Sequence, residues 1–498
     1  MDALHNLMMG FSVIFTPQNL WFCFIGSVVG TLVGVLPGIG PLAALALLLP
    51  VTFKLAPVAG LGMLTAIFYG AMYGGSTTSI LVNIPGEAAS VVTAIDGHEM
   101  AKQGRAGAAL GMAAIASFVA GTLALLAVTF CSPVLTAFAL RFGPPENFGL
   151  MLFGLVCTLY MINGSKLKGV LMLAVGFLAA TVGMDVVNGR DRFTLGNINL
   201  AGGIEILSVV IGLYGVAEIL VNCETITKNH LLAERIRGLW PTLADWRASW
   251  LPMIRGSFVG FFFGMVPGGG PVTASFMSYA LERRMAKDPS RFGKGAIEGV
   301  AGPEAANNAA VSGSMIPLMS LGIPGNAVTA LLLGALVIQG IQPGPMFITQ
   351  RPDLFWGVMA SMYVGNVFLL LLNLPLAGLW AQCLRIPYRV LFPMILLLSI
   401  VGTYSANKNV FDLWVMLGFG VVGYVLRKLQ YDFSPFLIAF VLAPILEQSL
   451  RQSLVMSPDG ILIFAQRPLA TGFVIASVVL AILVFRQRKS LQPQGDIS

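Results

Sequence analysis

Long apolar segments separated by short polar stretches dominate this chain. Residues 106–130 and 355–379, for example, contain no charged side chain. A helix of about 20 residues spans the roughly 30 Å hydrocarbon core of a bilayer. Backbone groups must be hydrogen-bonded inside lipid, and these segments lack the alternation of barrel strands. The pattern therefore predicts an all-α polytopic membrane protein.

Two glycine-rich segments indicate an internal duplication. Residues 26–41 (GSVVGTLVGVLPGIGP) and 256–271 (GSFVGFFFGMVPGGGP) are identical at nine of sixteen positions without a gap. A second echo relates residues 74–88 (GGSTTSILVNIPGEA) to residues 313–327 (GSMIPLMSLGIPGNA). Glycine-rich composition alone would not keep both prolines of the first pair in register. The two halves therefore repeat one structural unit.

Each copy of the first segment predicts a re-entrant hairpin. PGIGP interrupts residues 20–52 and PGGGP interrupts residues 251–281, leaving arms of about 10 to 16 residues, too short for a full crossing. The next segments, residues 60–95 and 306–340, each contain IPG and are predicted to be interrupted transmembrane helices. Nine continuous crossings are also predicted, at residues 106–133, 148–163, 167–187, 203–223, 354–379, 390–404, 413–426, 433–446 and 470–485.

The distribution of positive charge predicts the orientation of these segments. With the first hairpin opening outward, 21 of the 29 Lys and Arg residues fall in inside loops and 8 in outside loops. The first hairpin then enters from outside and the second from inside, so the two repeats are inverted. Inverted repeats with broken helices are typical of secondary transporters. The net charge of +7 reflects this bias rather than nucleic-acid binding, since the chain has no aromatic-interleaved basic patch.

This interpretation predicts a multi-pass protein of the bacterial inner membrane, with the N-terminus periplasmic and the C-terminus cytoplasmic. The predicted regions are an N-terminal surface helix (1–19), the first repeat half (20–223), a cytoplasmic linker (224–250), the second repeat half (251–486) and a cytoplasmic tail (487–498).

The broken segments supply the candidate substrate site. Glycine at the hairpin turns leaves backbone N–H groups open, and the returning helix directs its positive end toward the tip, which suits a carboxylate. Small hydroxyl and amide side chains near the IPG breaks can face the same polar cavity. The predicted substrate-binding residues are Pro37, Gly38, Gly40, Ser76, Thr77, Thr78, Asn83, Pro267, Gly268, Gly269, Gly270, Asn307, Asn308, Ser312 and Ser314. Possible contacts for a coupling cation are Asn308, Gly38 and Gly268.

Acidic residues near the breaks are further candidates. Glu87, Asp96 and Glu304 could relay a proton or bind a cation, although Asp96 and Glu304 lie close enough to predicted loops to be simply solvated. Glu205 and Glu218 are more remote. Nucleotide, metalloprotease and hydrolase motifs are missing, and three histidines offer little for catalysis, so no enzyme activity, catalytic residue or metal site is predicted.

The motifs PGIGP, PGGGP and YGGSTTSILVNIPGE and the run GPEAANNAAVSGSMIPLMSLGIPGN carry a family resemblance. The chain resembles the large membrane subunit of the tripartite tricarboxylate transporter family along essentially its whole length. The resemblance implies two partners, a small membrane subunit of about four helices and a periplasmic substrate-binding protein. It also implies uptake of citrate or another tricarboxylate or dicarboxylate, driven by a gradient of sodium ions or protons, with no other cofactor.

Two alternatives remain open at this point. A stand-alone secondary carrier or exchanger for organic anions would need no binding protein. An intramembrane enzyme using buried acids is the second, but Tyr431-Asp432 lacks the GxGD partner of an aspartyl-protease dyad. The sequence does not choose among carboxylates or between sodium and proton.

Overall fold

The computed structural model describes residues 3–36, 40–139, 141–162, 165–185, 188–224, 238–344, 346–384 and 388–486. A two-stranded antiparallel hairpin pairs Gly183–Met184 with Asp191–Arg192, and a π-helical segment, Ile211–Val216, joins α9 to α10. The helices are α1 (Ala3–Ile14), α2 (Pro17–Val35), α3 (Gly40–Thr52), α4 (Pro57–Val82), α5 (Val91–Lys102), α6 (Ala106–Ala139), α7 (Pro144–Met161), α8 (Lys166–Ala180), α9 (Ile206–Val210), α10 (Ala217–Glu224), α11 (Leu243–Met265), α12 (Gly270–Met285), α13 (Glu298–Leu321), α14 (Ala327–Ile338), α15 (Phe347–Gln350), α16 (Pro352–Asn373), α17 (Ala377–Cys383), α18 (Tyr388–Asn407), α19 (Val410–Lys428), α20 (Ser434–Met456), α21 (Ile463–Gln466) and α22 (Pro468–Arg486).

Glycines on α2 let its backbone pack directly on α4. A Cβ atom built on Gly30 would lie 2.5 Å from the carbonyl oxygen of Ile67, closer than any real side chain could approach. Small residues permit such contacts between membrane helices, where packing rather than water exclusion drives association. The seam consists of Gly26 on Met63, Gly30 on Ile67 and Gly34 on Ala71.

The second half repeats this seam between α11 and α13. A Cβ atom on Gly260 would lie 2.2 Å from the carbonyl oxygen of Ala306. The contacts are Gly256 on Gly302, Gly260 on Ala306 and Gly264 on Ala310. The glycines of the two seams are 230 positions apart in the chain, as are residues 26–41 and 256–271. Their contact partners are 239 positions apart, as are residues 74–88 and 313–327. The duplication therefore extends to helix packing.

The breaks after α4 and α13 are also built alike. Asn83 and Gly322 end these helices with φ of 58° and 70°, in the left-handed region. Glu87 and Asn326 then cap the following helical turns, each through a reciprocal capping box with a hydroxyl residue three positions later. An amide-bearing or acidic cap thus stands at the same position of each half.

One helix of each half packs against the other half. The first half's α6 packs mainly on α13, whereas the second half's α16 packs on α4 and on α1. The short turn after the first break, Ala88–Ser90, packs against α12, and α3 packs against α14. The broken helices therefore lie at the centre of the molecule, and α4 is buried throughout its apolar window.

The structure corrects the predicted elements in three respects. The arms before the two turns, α2 with 19 residues and α11 with 23, are longer than the 10 to 16 residues predicted, and α2 is one of the helices long enough to span a membrane. Within the described ranges, six helices are long and apolar enough to span a membrane, or seven if one bent pair counts as a span, fewer than the continuous crossings predicted. In addition, α4 contains 26 residues, roughly 39 Å, so the break at residues 83–87 follows a full-length helix instead of interrupting it midway. Likewise α13 begins at Glu298, before the predicted start at residue 306, because its glycines and small polar residues are accommodated in a buried helix.

Candidate functional site

The tip between α11 and α12 lies beside the second break. Gly268 donates its backbone N–H to the carbonyl oxygen of Gly325 at 2.7 Å, and Gly269 donates to Val266 at 2.9 Å. The prediction that Gly268 leaves its N–H open is therefore wrong for this conformation, because the turn and the second break satisfy each other. The candidate donors are instead the N–H groups in the first turn of α12, which have no partner within their own helix.

Asn307 lies on α13, which packs against α12. The Ser275 hydroxyl donates to the carbonyl oxygen of Pro303 at 3.3 Å, which joins α12 to α13. Tyr279 lies against Gly299 and Ser275 against Pro303, so α12 and α13 run antiparallel. Asn307, one turn beyond Pro303, is therefore nearer the tip between α11 and α12. Its side chain is 1% exposed, and neither carboxamide atom has a hydrogen-bond partner. A buried carboxamide without a protein partner is rare, which makes Asn307 a candidate for contact with a ligand.

Asn326 adds a second free donor at the tip. It caps α14 with its side-chain oxygen, while its Nδ2 atom is buried without a partner. A Cβ atom on Gly270 would lie 3.4 Å from that nitrogen. Gly270 itself has a φ of 62°, and Gly40, at the same position of the first half, has 64°. Glycine is required at both positions because other residues rarely adopt this conformation.

Asn308, predicted beside Asn307, has a different environment. Its Nδ2 donates to Ser117 Oγ at 2.7 Å and to the Glu304 carbonyl oxygen at 3.2 Å. Glu304 is fully buried, and its carboxylate accepts hydrogen bonds from the hydroxyls of Thr93 and Ser117. The possibility that Glu304 is merely solvated is therefore wrong. These four side chains form one polar cluster between α5, α6 and α13.

The other predicted residues are distributed around this centre. Ser76, Thr77, Thr78, Ser312 and Ser314 are buried, whereas Asn83 is exposed. Ser312 contacts the Tyr69 hydroxyl, and Ser314 donates to its own helix. Pro37 and Gly38 lie outside the described residues. Pro267 and Gly269 shape the tip; a Cβ atom on Gly269 would lie 2.2 Å from the Phe263 carbonyl oxygen, so this glycine is structural.

The remaining acids have structural partners. Asp96 is fully buried and accepts hydrogen bonds from backbone N–H groups of the 293–296 loop. The possibility that Asp96 is simply solvated is therefore wrong as well. Glu218 pairs with Arg427. Glu87 caps its helical turn: its Oε2 atom accepts a hydrogen bond from the Ala89 N–H at 2.6 Å, while its Oε1 atom has no partner.

Two asparagines of α16 were missed in the sequence. Asn366 accepts from the Tyr73 hydroxyl at 2.7 Å, and Asn373 donates to Thr31 Oγ1 at 3.2 Å. Both are buried. They stand seven positions apart in an apolar segment, on one helix face, and polar residues in a membrane segment are a recognisable functional signal.

Comparison with known proteins agrees with this architecture. The sequence model of the tripartite tricarboxylate transporter TctA family matches residues 20–438. The chain belongs to this family. It is accordingly a multi-pass membrane component of a transporter, with apolar helices that fit that assignment.

Two relatives come from Agrobacterium vitis. The uncharacterized 52.8 kDa protein in the TAR-I ttuC' 3' region is 48% identical over 486 residues, which is 97% of each chain. An uncharacterized protein in the TAR-II ttuC' 3' region is 49% identical over 227 residues, 45% of this chain and 94% of the relative. No solved structure matches the chain.

Proposed function

We propose that the chain is the large membrane subunit of a binding-protein-dependent importer of small carboxylates, driven by an ion gradient. In this proposal a periplasmic binding protein delivers a tricarboxylate or dicarboxylate, and a small four-helix subunit completes the complex in the inner membrane. Membership of the TctA family supports the transport role and the expectation of partner subunits. The inverted arrangement of the two repeats belongs to the same proposal.

One observation carries the substrate class. The carboxamide of Asn307 is buried without a protein partner on α13, the helix that packs against α12. Amide N–H and helix N-terminal N–H groups are donors that suit a carboxylate, and the helix dipole favours negative charge at that end. Asn326 Nδ2 offers another donor beside Gly270. In this proposal the carboxylate accepts hydrogen bonds from these donors.

Uptake of labelled small carboxylates tests the proposal in cells expressing the chain with its binding protein and small membrane subunit. Asn307→Leu should raise the KM for uptake by about 10- to 150-fold, because a hydrogen bond to a charged group contributes about 1.5 to 3 kcal/mol. Asn19→Leu is the matched control, since Asn19 is also a buried amide and its Nδ2 donates to the Val13 carbonyl oxygen. Equal KM values for both variants would contradict the proposed site.

Gly270→Val should abolish uptake while the protein still inserts into the membrane. Its control is Gly340→Val, which places the same side chain at another positive φ, 74°, with open space around it. Equal loss in both variants would assign the effect to backbone strain rather than to the site.

A further inference from the structure

A small cavity lies where four helices meet, α4 and α6 from the first half and α13 and α16 from the second. Its volume is about 10 Å³, about enough for one water molecule or a bare sodium ion. Apolar side chains of α6 form part of the wall. The polar lining consists of Tyr73, Ser76, Thr77, Ser117, Glu304 and Asn373.

Glu304 brings a carboxylate to this cavity without a cationic partner. It is 0% exposed, and the neutral hydroxyls of Thr93, Ser117 and Ser76 donate hydrogen bonds to it. The ion pairs among the described residues do not include it. Burying an ionised carboxylate costs several kcal/mol unless another charge compensates it. A carboxyl group buried there is therefore either protonated or balanced by a bound cation.

Asn373 contributes an unpartnered hydrogen-bond acceptor to the lining of this cavity. Its Nδ2 donates to the Leu369 carbonyl oxygen at 2.9 Å and to Thr31 at 3.2 Å. A carbonyl oxygen can only accept, so this bond assigns the orientation of the amide. Its Oδ1 is left without a partner although the residue is only 7% exposed. Tyr73 donates its proton to Asn366, which leaves its oxygen available as an acceptor.

We propose that this cavity binds a monovalent cation of sodium size between Glu304 and Asn373. Hard cations prefer oxygen ligands, and the polar lining consists of carboxylate, amide and hydroxyl groups. A divalent cation would leave a net positive charge buried beside a single carboxylate. A water molecule would satisfy Asn373 but not the charge of Glu304.

The site joins both halves, since its lining comes from α4 and α6 of the first half and from α13 and α16 of the second. A cation there holds these four helices in one arrangement. Its role as the coupling ion rests on the proposed function, whereas cation binding itself does not.

Thermal unfolding of the purified full-length chain in detergent tests the site. Sodium chloride should raise the unfolding midpoint saturably relative to choline chloride at equal ionic strength, and potassium should act more weakly. Asn373→Ala and Ser117→Ala should each weaken the apparent sodium affinity at least tenfold, and Glu304→Gln should abolish the sodium effect. Asn19→Ala should retain the wild-type affinity. Ser117→Ala changes little volume, so it tests the site even if Asn373→Ala fails to fold.

Three results would overturn the proposal. The first is a wild-type midpoint that does not respond specifically to sodium. The second is a sodium shift that Glu304→Gln leaves unchanged. The third is a midpoint that responds through Glu304 to pH and not to sodium, which would identify a proton as the occupant.

Uptake assays separate this inference from the proposed function. Sodium stabilisation without carboxylate uptake by the complete complex would support the cation site and reject the importer. Carboxylate uptake by a chain that shows no sodium shift would support the importer and reject the cation site.

Discussion

The Tyr73 hydroxyl donates a 2.7 Å hydrogen bond to Oδ1 of Asn366, and both side chains are buried. The Nδ2 atom of Asn366 donates to the Phe118 carbonyl oxygen at 3.0 Å and to Thr122 Oγ1 at 3.1 Å. One carboxamide thus connects α4, α6 and α16. Because α4 and α6 come from one half and α16 from the other, this bond helps to join the halves.

Tyr73→Phe should destabilise the protein by about 1 to 3 kcal/mol, since it leaves Oδ1 of Asn366 buried without a donor. Denaturant unfolding in mixed micelles measures this change. The control is Tyr404→Phe, because Tyr404 is 44% exposed. Equal unfolding free energies for the two variants would show that the bond contributes nothing to stability.

The glycine seams predict a contrast between two Gly→Ala substitutions. Gly260→Ala would place a methyl group 2.2 Å from the Ala306 carbonyl oxygen, so α11 and α13 must separate. We expect a loss of several kcal/mol or failure to accumulate in the membrane. Gly418→Ala, in α19 with nothing within 4 Å, should be neutral or stabilise by about 0.4 to 1 kcal/mol. Expression level and melting temperature report both, and similar values would refute the close-packing argument.

Asp96 predicts the stability of one loop. Its Oδ1 accepts three backbone N–H groups, at 2.8, 2.9 and 2.8 Å, from Gly293, Gly295 and Ala296. Asp96→Asn removes the charge from these bonds and should cost about 1.5 to 3 kcal/mol. Trypsin should then cleave faster after Arg291, which is exposed.

The control for Asp96→Asn is Glu99→Gln, which breaks a part-exposed pair with Lys102. Such pairs contribute little to stability. Cleavage of Asp96→Asn at the control rate would mean that the loop is held by other contacts.

Cysteine labelling tests the proposed inversion of the repeats. Lys54 and Lys287 are both exposed. In a background with Cys223, the exposed native cysteine, replaced, Lys54→Cys should react with an impermeant reagent from the periplasm. Lys287→Cys should react only from the cytoplasm, because positive charge is retained on that side. Labelling of both from one side would reject the inverted arrangement.

The helical class and the duplication followed from the sequence because hydrophobic length and glycine spacing are local properties. The seams at Gly30 and Gly260 lie in segments whose identity was visible without a structure. Element limits were less accurate. Helix α13 starts eight residues before the predicted segment at 306, since a buried helix tolerates polar and small residues that lower its apparent hydropathy.

The candidate site required tertiary information. The sequence marked Asn307 and Asn308 as equivalent neighbours, but rotation by about 100° per residue separates them, so one is unpartnered and the other joins Ser117 and Glu304. Whether a polar atom has a partner depends on residues distant in the chain. The same is true of Glu304, whose burial arises because α6 of one half packs on α13 of the other.

By itself, the sequence determined a helical membrane chain built from two copies of one broken unit, because period, length and repeat identity are properties of neighbouring residues. The tertiary structure decided which polar groups meet. In the folded chain the Gly268 N–H is hydrogen-bonded to the Gly325 carbonyl oxygen, and the Asn307 carboxamide has no protein partner. Glu304 and Asn373 line one cavity. The reason is that these arrangements depend on residues far apart in the chain, as in the packing of α6 on α13 and of α16 on α4, which no local pattern encodes.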